Sequence, residues 1–230
     1  MENYLGILRV LGAASFSLGG IAFLLSFRWR MDGLKLVRHH IRWDASVITI
    51  IAISAALNAG AAIITGPIRF GWISFRPGAA ITPVLGILFG IPGAIGAGLG
   101  NVISDILKGF ISPASVSGFL GNFFAFALIP GMIVRDASLK NKNSWMQYIV
   151  GICVGAGFGM LSMPWFIDVT GTMPPVAAWT TEPFALLMNR ILSPLLLGPV
   201  FLKILYPFTV KNGMYWRQEN TATVENLLRK

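Results

Sequence analysis

Seven apolar runs, at about 5–27, 46–65, 78–91, 93–111, 116–134, 146–167 and 182–206, take up most of this chain. A helix needs about 20 apolar residues to cross the hydrocarbon core of a bilayer. In lipid, a spanning backbone must also satisfy its own polar groups. Repeated runs of this length therefore predict an all-α fold, a polytopic membrane helix bundle. Of the 230 residues, 55% are hydrophobic and 12% are charged, against about 25% charged in soluble domains. The stretch Tyr4–Phe27 is too long for the core of a signal peptide, and its basic cluster follows it, so it reads as a retained span. The single cysteine, Cys153, allows no internal disulfide.

The basic residues predict the topology. In membrane proteins Lys and Arg gather on the cytoplasmic side, so the net charge of +9 reports orientation and gives no nucleic-acid signal. With seven spans, segment 28–44, loop 135–145 and the C-terminal part from Lys203 onward share one face. Together they carry 13 of the 18 basic residues. Were 78–111 a single span broken at Pro83 or Pro92, the basic segments would be split between two faces. The expected topology has the N-terminus outside and the C-terminus in the cytoplasm. Three parts follow: residues 1–45 (an N-terminal span and a basic segment), 46–206 (a six-span bundle) and 207–230 (a cytoplasmic tail). Within 31–44, Leu34, Val37 and Ile41 fall on one helical face, with Lys35, Arg38 and Arg42 off it. That pattern predicts a helix lying on the inner leaflet.

Polar groups inside spans are costly and by default functional. Here they share a depth. Asn101, Asp105 and Lys108 are spaced to share a face in the outer half of the fourth span. Asn122 lies near the outer start of the fifth. Asp168 ends the sixth, three residues after Trp165. Glu182 opens the seventh, with Asn189 two turns deeper and Arg190 beside it. Between the second and third spans runs the loop GPIRFGWISFRPG, residues 66–78, which carries Arg69, Phe70, Trp72, Phe75 and Arg76 and no acid. Its arginines break the charge rule, and Pro77 biases Arg76 toward an extended backbone. The pattern predicts a polar pocket that opens outward beneath this loop. The alternatives are an Asp105–Lys108 pair along the helix and asparagines that only join helices.

In the second span Ala52, Ala56 and Gly60 are spaced by four, with Ala55 and Ala59 beside them. Small residues at this spacing allow helices to approach closely, within the bundle or in docking a partner. No phosphate-binding loop, zinc signature or nucleophile–histidine–acid set occurs. His39 and His40 are adjacent, so on a helix they point apart. No catalytic residue, metal or cofactor is expected.

Residues 58–107, NAGAAIITGPIRFGWISFRPGAAITPVLGILFGIPGAIGAGLGNVISDIL, resemble the first half of the substrate-binding S components of energy-coupling factor (ECF) vitamin transporters. An Ala-rich helix, an aromatic loop with Arg-Pro, a short Pro-bearing helix and a Gly-rich lead into an acid-bearing helix carry the likeness. In this chain the lead is Phe89-Gly90, Gly93-Ala94 and Gly96, followed by Asp105. The resemblance spans about 46–206, the family's six spans. It implies high-affinity capture of a vitamin or related micronutrient from outside, with loop 66–78 closing over it. It also implies a membrane coupling subunit and two ATPase subunits as partners. Docking would use Ala52 and Ala56, or Ala55 and Ala59. The candidate substrate contacts are Arg69, Phe70, Trp72, Phe75, Arg76, Asn101, Asp105, Asn122, Trp165, Asp168, Glu182 and Asn189. The span 5–27 has no counterpart in the six-span pattern and is placed to cover the docking face. A multi-span sensor or regulatory module and a solitary small-molecule transporter are the alternatives.

Overall fold

A computed structural model describes residues 2–32, 35–38, 43–66, 69–70 and 73–217. Among them six helices are long and apolar enough to cross a membrane: Tyr4–Ser26, Ala45–Thr65, Pro77–Leu107, Ala114–Ile133, Lys142–Val169 and Pro175–Lys211. The fold is the all-α polytopic bundle expected. In chain order its elements are α1 (Glu2–Ser26), a hairpin of β1 (Trp29–Asp32) and β2 (Lys35–Arg38), α2 (Ala45–Thr65) and a smaller hairpin of β3 (Arg69–Phe70) and β4 (Ile73–Ser74). A 3-10 turn (Pro77–Ala80) then leads into α3 (Ile81–Leu107). After these come α4 (Ala114–Leu120), a π-helical segment (Gly121–Leu128), α5 (Ile129–Ile133), α6 (Lys142–Val169), α7 (Pro175–Leu186), a second π-helical segment (Leu187–Leu192) and α8 (Ser193–Lys211).

The third long helix does not cross in one pass. Gly90 has φ 62° and ψ −134°, outside any helical region. A positive φ is open to glycine at little cost. Beyond it the chain folds back on itself. A side-chain carbon on Gly93 would strike the Leu85 carbonyl, although eight residues of straight helix span about 12 Å. Asn58 of α2 confirms the reversal, because it bonds Thr82 in the first arm and the Ala97 carbonyl in the second. Residues 81–89 and 91–107 are thus two antiparallel arms, the first much shorter than the second. The hairpin is the most buried part of the bundle, with 94% of its apolar window inside.

The break leaves carbonyls without helical partners, and the C-terminal segment supplies donors. Pro92 has no N–H for the Leu88 carbonyl, which accepts instead from the Trp216 backbone N–H at 3.2 Å. The Trp216 indole Nε1 donates to the Ile87 carbonyl at 2.9 Å. Arg217 Nη2 donates to the carbonyls of Gly131 and Met132 at the end of α5. Trp216 therefore defines a lower end of the bundle, and Asp168 marks the upper end. The names imply no side of the membrane.

Both π-helical segments stop two residues before a proline, Pro130 and Pro194. A proline ring clashes with the carbonyl four residues back. A locally widened register removes the clash, and such wide turns are frequent at functional sites.

Two expectations need correcting. The segment expected to lie as a helix on the membrane instead begins as the β1–β2 hairpin, with Trp29 paired to Arg38 and Asp32 to Lys35. Two residues, Gly33 and Leu34, separate the paired ends Asp32 and Lys35, and a leading glycine suits a two-residue hairpin connection, which outweighs the weak helical pattern. His39, His40 and Arg42 lie outside the described residues, as does the tail beyond Arg217. The N-terminal helix also leaves Ala52 and Ala56 of α2 uncovered. It packs on α6 and on the Gly121–Leu128 segment, where Phe16 stacks on Phe166 and Ser15 Oγ donates to the Phe158 carbonyl.

A buried polar network and candidate ligand site

The apolar core leaves one continuous chain of polar side chains, drawn from five separate segments. Thr82 Oγ1 donates to Asn58 Oδ1 at 2.9 Å and lies 3.5 Å from Asn122 Oδ1. Asn122 Nδ2 donates to Asn101 Oδ1 at 3.0 Å and to the Gly118 carbonyl at 2.8 Å. Asn101 Nδ2 donates to Asp105 Oδ2 at 3.2 Å. At the other end, Arg190 Nη1 donates to Thr82 Oγ1 at 3.1 Å. The Arg190 guanidinium also sits over the Phe126 ring, 4.4 Å from its centroid, a favourable cation–π position. Thr82, Asn58 and Asn122 are almost wholly buried. Close backbone packing makes room for these groups. Gly118 leaves space for the Asn101 amide, and Gly100 lies under the Ala55 carbonyl.

The two π-helical segments serve this site. One holds Asn122 and the other holds Asn189 and Arg190. Asn189 Oδ1 accepts from the Arg76 backbone N–H at 2.7 Å, and Ser193 Oγ donates to the carbonyls of Arg76 and Pro77. These bonds tie the segment after the β3–β4 hairpin to the α7–α8 helix. Arg76 has φ −115° and ψ 89°, on the extended side as the following proline requires. Its side chain is exposed and lies within electrostatic reach of Lys108, Glu182 and Arg190.

The other expected residues divide between the network and separate positions. Asn101, Asp105, Asn122 and Asn189 converge on this network or its rim. Lys108 does not pair with Asp105. Its Nζ donates to the Ala62 carbonyl at 2.8 Å, capping the end of α2. Burial, then the nearby Arg76, push the Lys108 ammonium below its ordinary range. Asp168 and Trp165 do not join the network. Asp168 is gripped by Arg9, with Nε–Oδ2 at 2.8 Å and Nη2–Oδ1 at 2.9 Å, and accepts from Trp179 Nε1 at 2.9 Å. Trp165 packs against Phe16 and Gly12. The acid and aromatic expected to meet substrate instead anchor α1. Phe75 and Glu182 are partly buried. Only the backbone of Arg69 and Phe70 is described, and Trp72 lies outside the described residues.

The network groups bond one another. The adjoining cleft, lined by Ala79, Pro83, Phe126, Ile152, Arg190 and Pro194, is too narrow for a water molecule. A cavity of about 320 Å³ lies at the lower end, between α1 and the bundle, with an apolar lining that includes Leu18, Ile21, Gly90, Phe124 and Trp216. Ala55 and Ala59, one of the two pairs considered for partner docking, are each 4% exposed and pack on Gly96 and Gly100 of α3. Ala52 and Ala56 are exposed.

Sequence reasoning passed over Asn58 and Thr82, the residues that join the network together. Asn58 was visible as an amide inside an apolar span. It lies among alanines whose spacing drew attention to backbone packing instead. Among the described residues, no group of three His, Cys, Asp or Glu is placed to hold a metal ion.

The fold and network define a multi-pass helical membrane protein with a polar centre. No protein-family model, curated protein or solved structure matches the chain.

Proposed function

We propose that the protein captures a small vitamin-like micronutrient at the membrane and delivers it inward, as the substrate-specific subunit of an ECF-type transporter. Support comes from the convergence of Asn58, Thr82, Asn101, Asn122 and Arg190 at one place in the bundle. Helix joining alone asks for isolated pairs, each contributing about 0.6 kcal/mol. A continuous network running from a cation to a carboxylate suits recognition of a polar ligand. The β3–β4 hairpin and Arg76 form the lid, tied down by Asn189 and Ser193. In the orientation that the positive-inside rule favours, the lid faces outside. A coupling subunit with two ATPases supplies the energy and docks on the exposed Ala52 and Ala56.

Cells expressing the chain, with and without a coupling module, test this reading by mass spectrometry of medium and extract. The expected result is one small molecule depleted outside and accumulated inside, with accumulation lost in Arg76→Ala. A ligand that co-purifies with the protein but never accumulates in cells would favour the sensor alternative.

A further inference from the structure

We infer that the ligand presents an anionic group, a carboxylate or similar small oxyanion, and that Arg190 receives it. This rests on the ligand-site reading above and narrows it to a substrate class.

Arg190 stands inside a membrane-spanning helix, where an unbalanced cation is costly and normally paired. Among the described residues it has no carboxylate within ion-pair distance, the ion pair there being Arg9–Asp168. A guanidinium carries five N–H donors in a planar fork, and one hydrogen bond, to Thr82, uses it here. The neighbours orient Arg190 without neutralising it. The Thr82 hydroxyl gives its hydrogen to Asn58, which leaves its oxygen free to accept from Arg190. The Phe126 face holds the guanidinium from the other side.

The surrounding charge has the same sign. Arg76 acts electrostatically on both Arg190 and Lys108. Of the acids on this side, Asp105 is engaged by Asn101 and Asp168 by Arg9. Glu182 lies two turns from Arg190 on the same helix and makes no ion pair with it. Among the described residues the cations Arg76, Lys108 and Arg190 face two carboxylates that no cation pairs with, Asp105 and Glu182, so an incoming anion relieves like-charge repulsion as well as pairing with Arg190.

The Arg76–Pro77 segment leads directly into Ala79, which lines the cleft beside Arg190. That segment is held by Asn189 and Ser193, the residues flanking the turn that carries Arg190. Lid and anion receptor therefore share one helical segment.

The test is thermal unfolding of the purified full chain in detergent, with sodium acetate and sodium benzoate as probes. Benzamide is the neutral control, at matched ionic strength and up to about 50 mM, enough to register millimolar binding by mass action. The expected result is a saturable rise in Tm with the carboxylates and none with benzamide. The rise should disappear in Arg190→Gln. In Arg190→Lys it should need at least about tenfold more anion, because lysine lacks the fork. Equal effects of benzoate and benzamide, no carboxylate effect on the wild type, or a carboxylate effect that survives in Arg190→Gln each overturn the inference. If Arg190→Gln does not fold, the wild-type comparison and Arg190→Lys decide. Carboxylate binding without cellular uptake would remove the transport reading and leave the anion site. Uptake of a neutral compound that Arg190→Gln leaves intact would do the reverse.

Discussion

Arg9 of α1 grips Asp168 of α6 with two parallel hydrogen bonds, and Trp179 of α7 adds a third to the same carboxylate. Three helices meet on one acid whose side chain is 2% exposed, while the Arg9 side chain is 50% exposed. Asp168→Asn should lower Tm by several degrees and leave anion binding at Arg190 unchanged, since Asp168 makes no bond to the polar network. The reversed pair Arg9→Asp with Asp168→Arg should recover part of the loss. Weakened carboxylate stabilisation in Asp168→Asn would mean that this acid belongs to the ligand site after all.

Trp216 closes the break in α3 from below. It gives its indole N–H to Ile87 and its backbone N–H to Leu88. Trp216→Ala keeps the backbone bond but strands the Ile87 carbonyl and uncovers Gly90. The combined loss of packing and one hydrogen bond should cost about 2–4 kcal/mol. Denaturant unfolding measures it. Trp216→Phe should recover the packing share only.

Much of this arrangement was readable before the structure. The apolar runs and the clustering of basic residues called for seven traverses. Pro83 and Pro92 suggested one broken span over 78–111, whereas the basic residues favoured two spans there, and the chain does reverse at Gly90. The polar residues of the fourth, fifth and seventh runs do converge. What stayed hidden depends on contacts distant in sequence. Nothing near Asp168 in the chain announces Arg9, 159 residues away. The widened turns at Asn122 and Arg190 follow from prolines further along, and these set side-chain direction in a way simple helical spacing misses. The β1–β2 hairpin had a local signal in Gly33, but the apolar stripe of Leu34, Val37 and Ile41 matches helical spacing and masks it.

Tyr215 offers a test by pH. Burial pushes its phenol up to about 12, and its hydroxyl donates to the Arg135 carbonyl at 3.2 Å. An unfolded tyrosine ionises near 10. The folded state therefore binds the extra proton between these values, and the stabilisation is complete below pH 10. It is lost as pH rises toward 12, by at most roughly 2–3 kcal/mol at about 1.4 kcal/mol per unit. The stability gap between wild type and Tyr215→Phe should shrink across that window. A constant gap would show that the phenol ionises equally in both states.

Ala55 and Ala56 are neighbours with opposite surroundings. Ala55 lies under Gly100 of α3, whose side-chain carbon would come within 2.6 Å of the Ala55 carbonyl. Ala56 is exposed. Ala55→Trp should fail to fold or lose several kcal/mol through overpacking, where about 1–3 kcal/mol is typical. Ala56→Trp should fold with unchanged Tm and anion binding, yet lose uptake if a coupling subunit docks there. Unchanged uptake in Ala56→Trp would move the docking surface elsewhere.

Asn122 is the centre of the network, 1% exposed, with its amide bonded to Asn101 and to the Gly118 carbonyl. Asn122→Leu removes both donors, so the partly buried Asn101 Oδ1 loses this partner and the Gly118 carbonyl keeps only the Gly121 N–H. Leaving a buried polar group unpaired costs about 1–3 kcal/mol, so the single change should be destabilising. Asn101→Leu also frees Asp105 from its amide contact, at a smaller cost because both residues are only partly buried. If the two asparagines act through each other, the double variant should cost less than the sum of the singles. Each single change strands a partner that the double change removes. Coupled residues commonly depart from additivity by about 0.5–3 kcal/mol. A double-mutant cycle by chemical denaturation in detergent measures that difference. Strict additivity would mean that the 3.0 Å contact contributes nothing to stability and that the network is only a set of separate helix contacts. A sizeable coupling, together with weakened carboxylate stabilisation in Asn122→Leu, would connect network order to the readiness of Arg190, through the hydroxyl of Thr82 that lies between them.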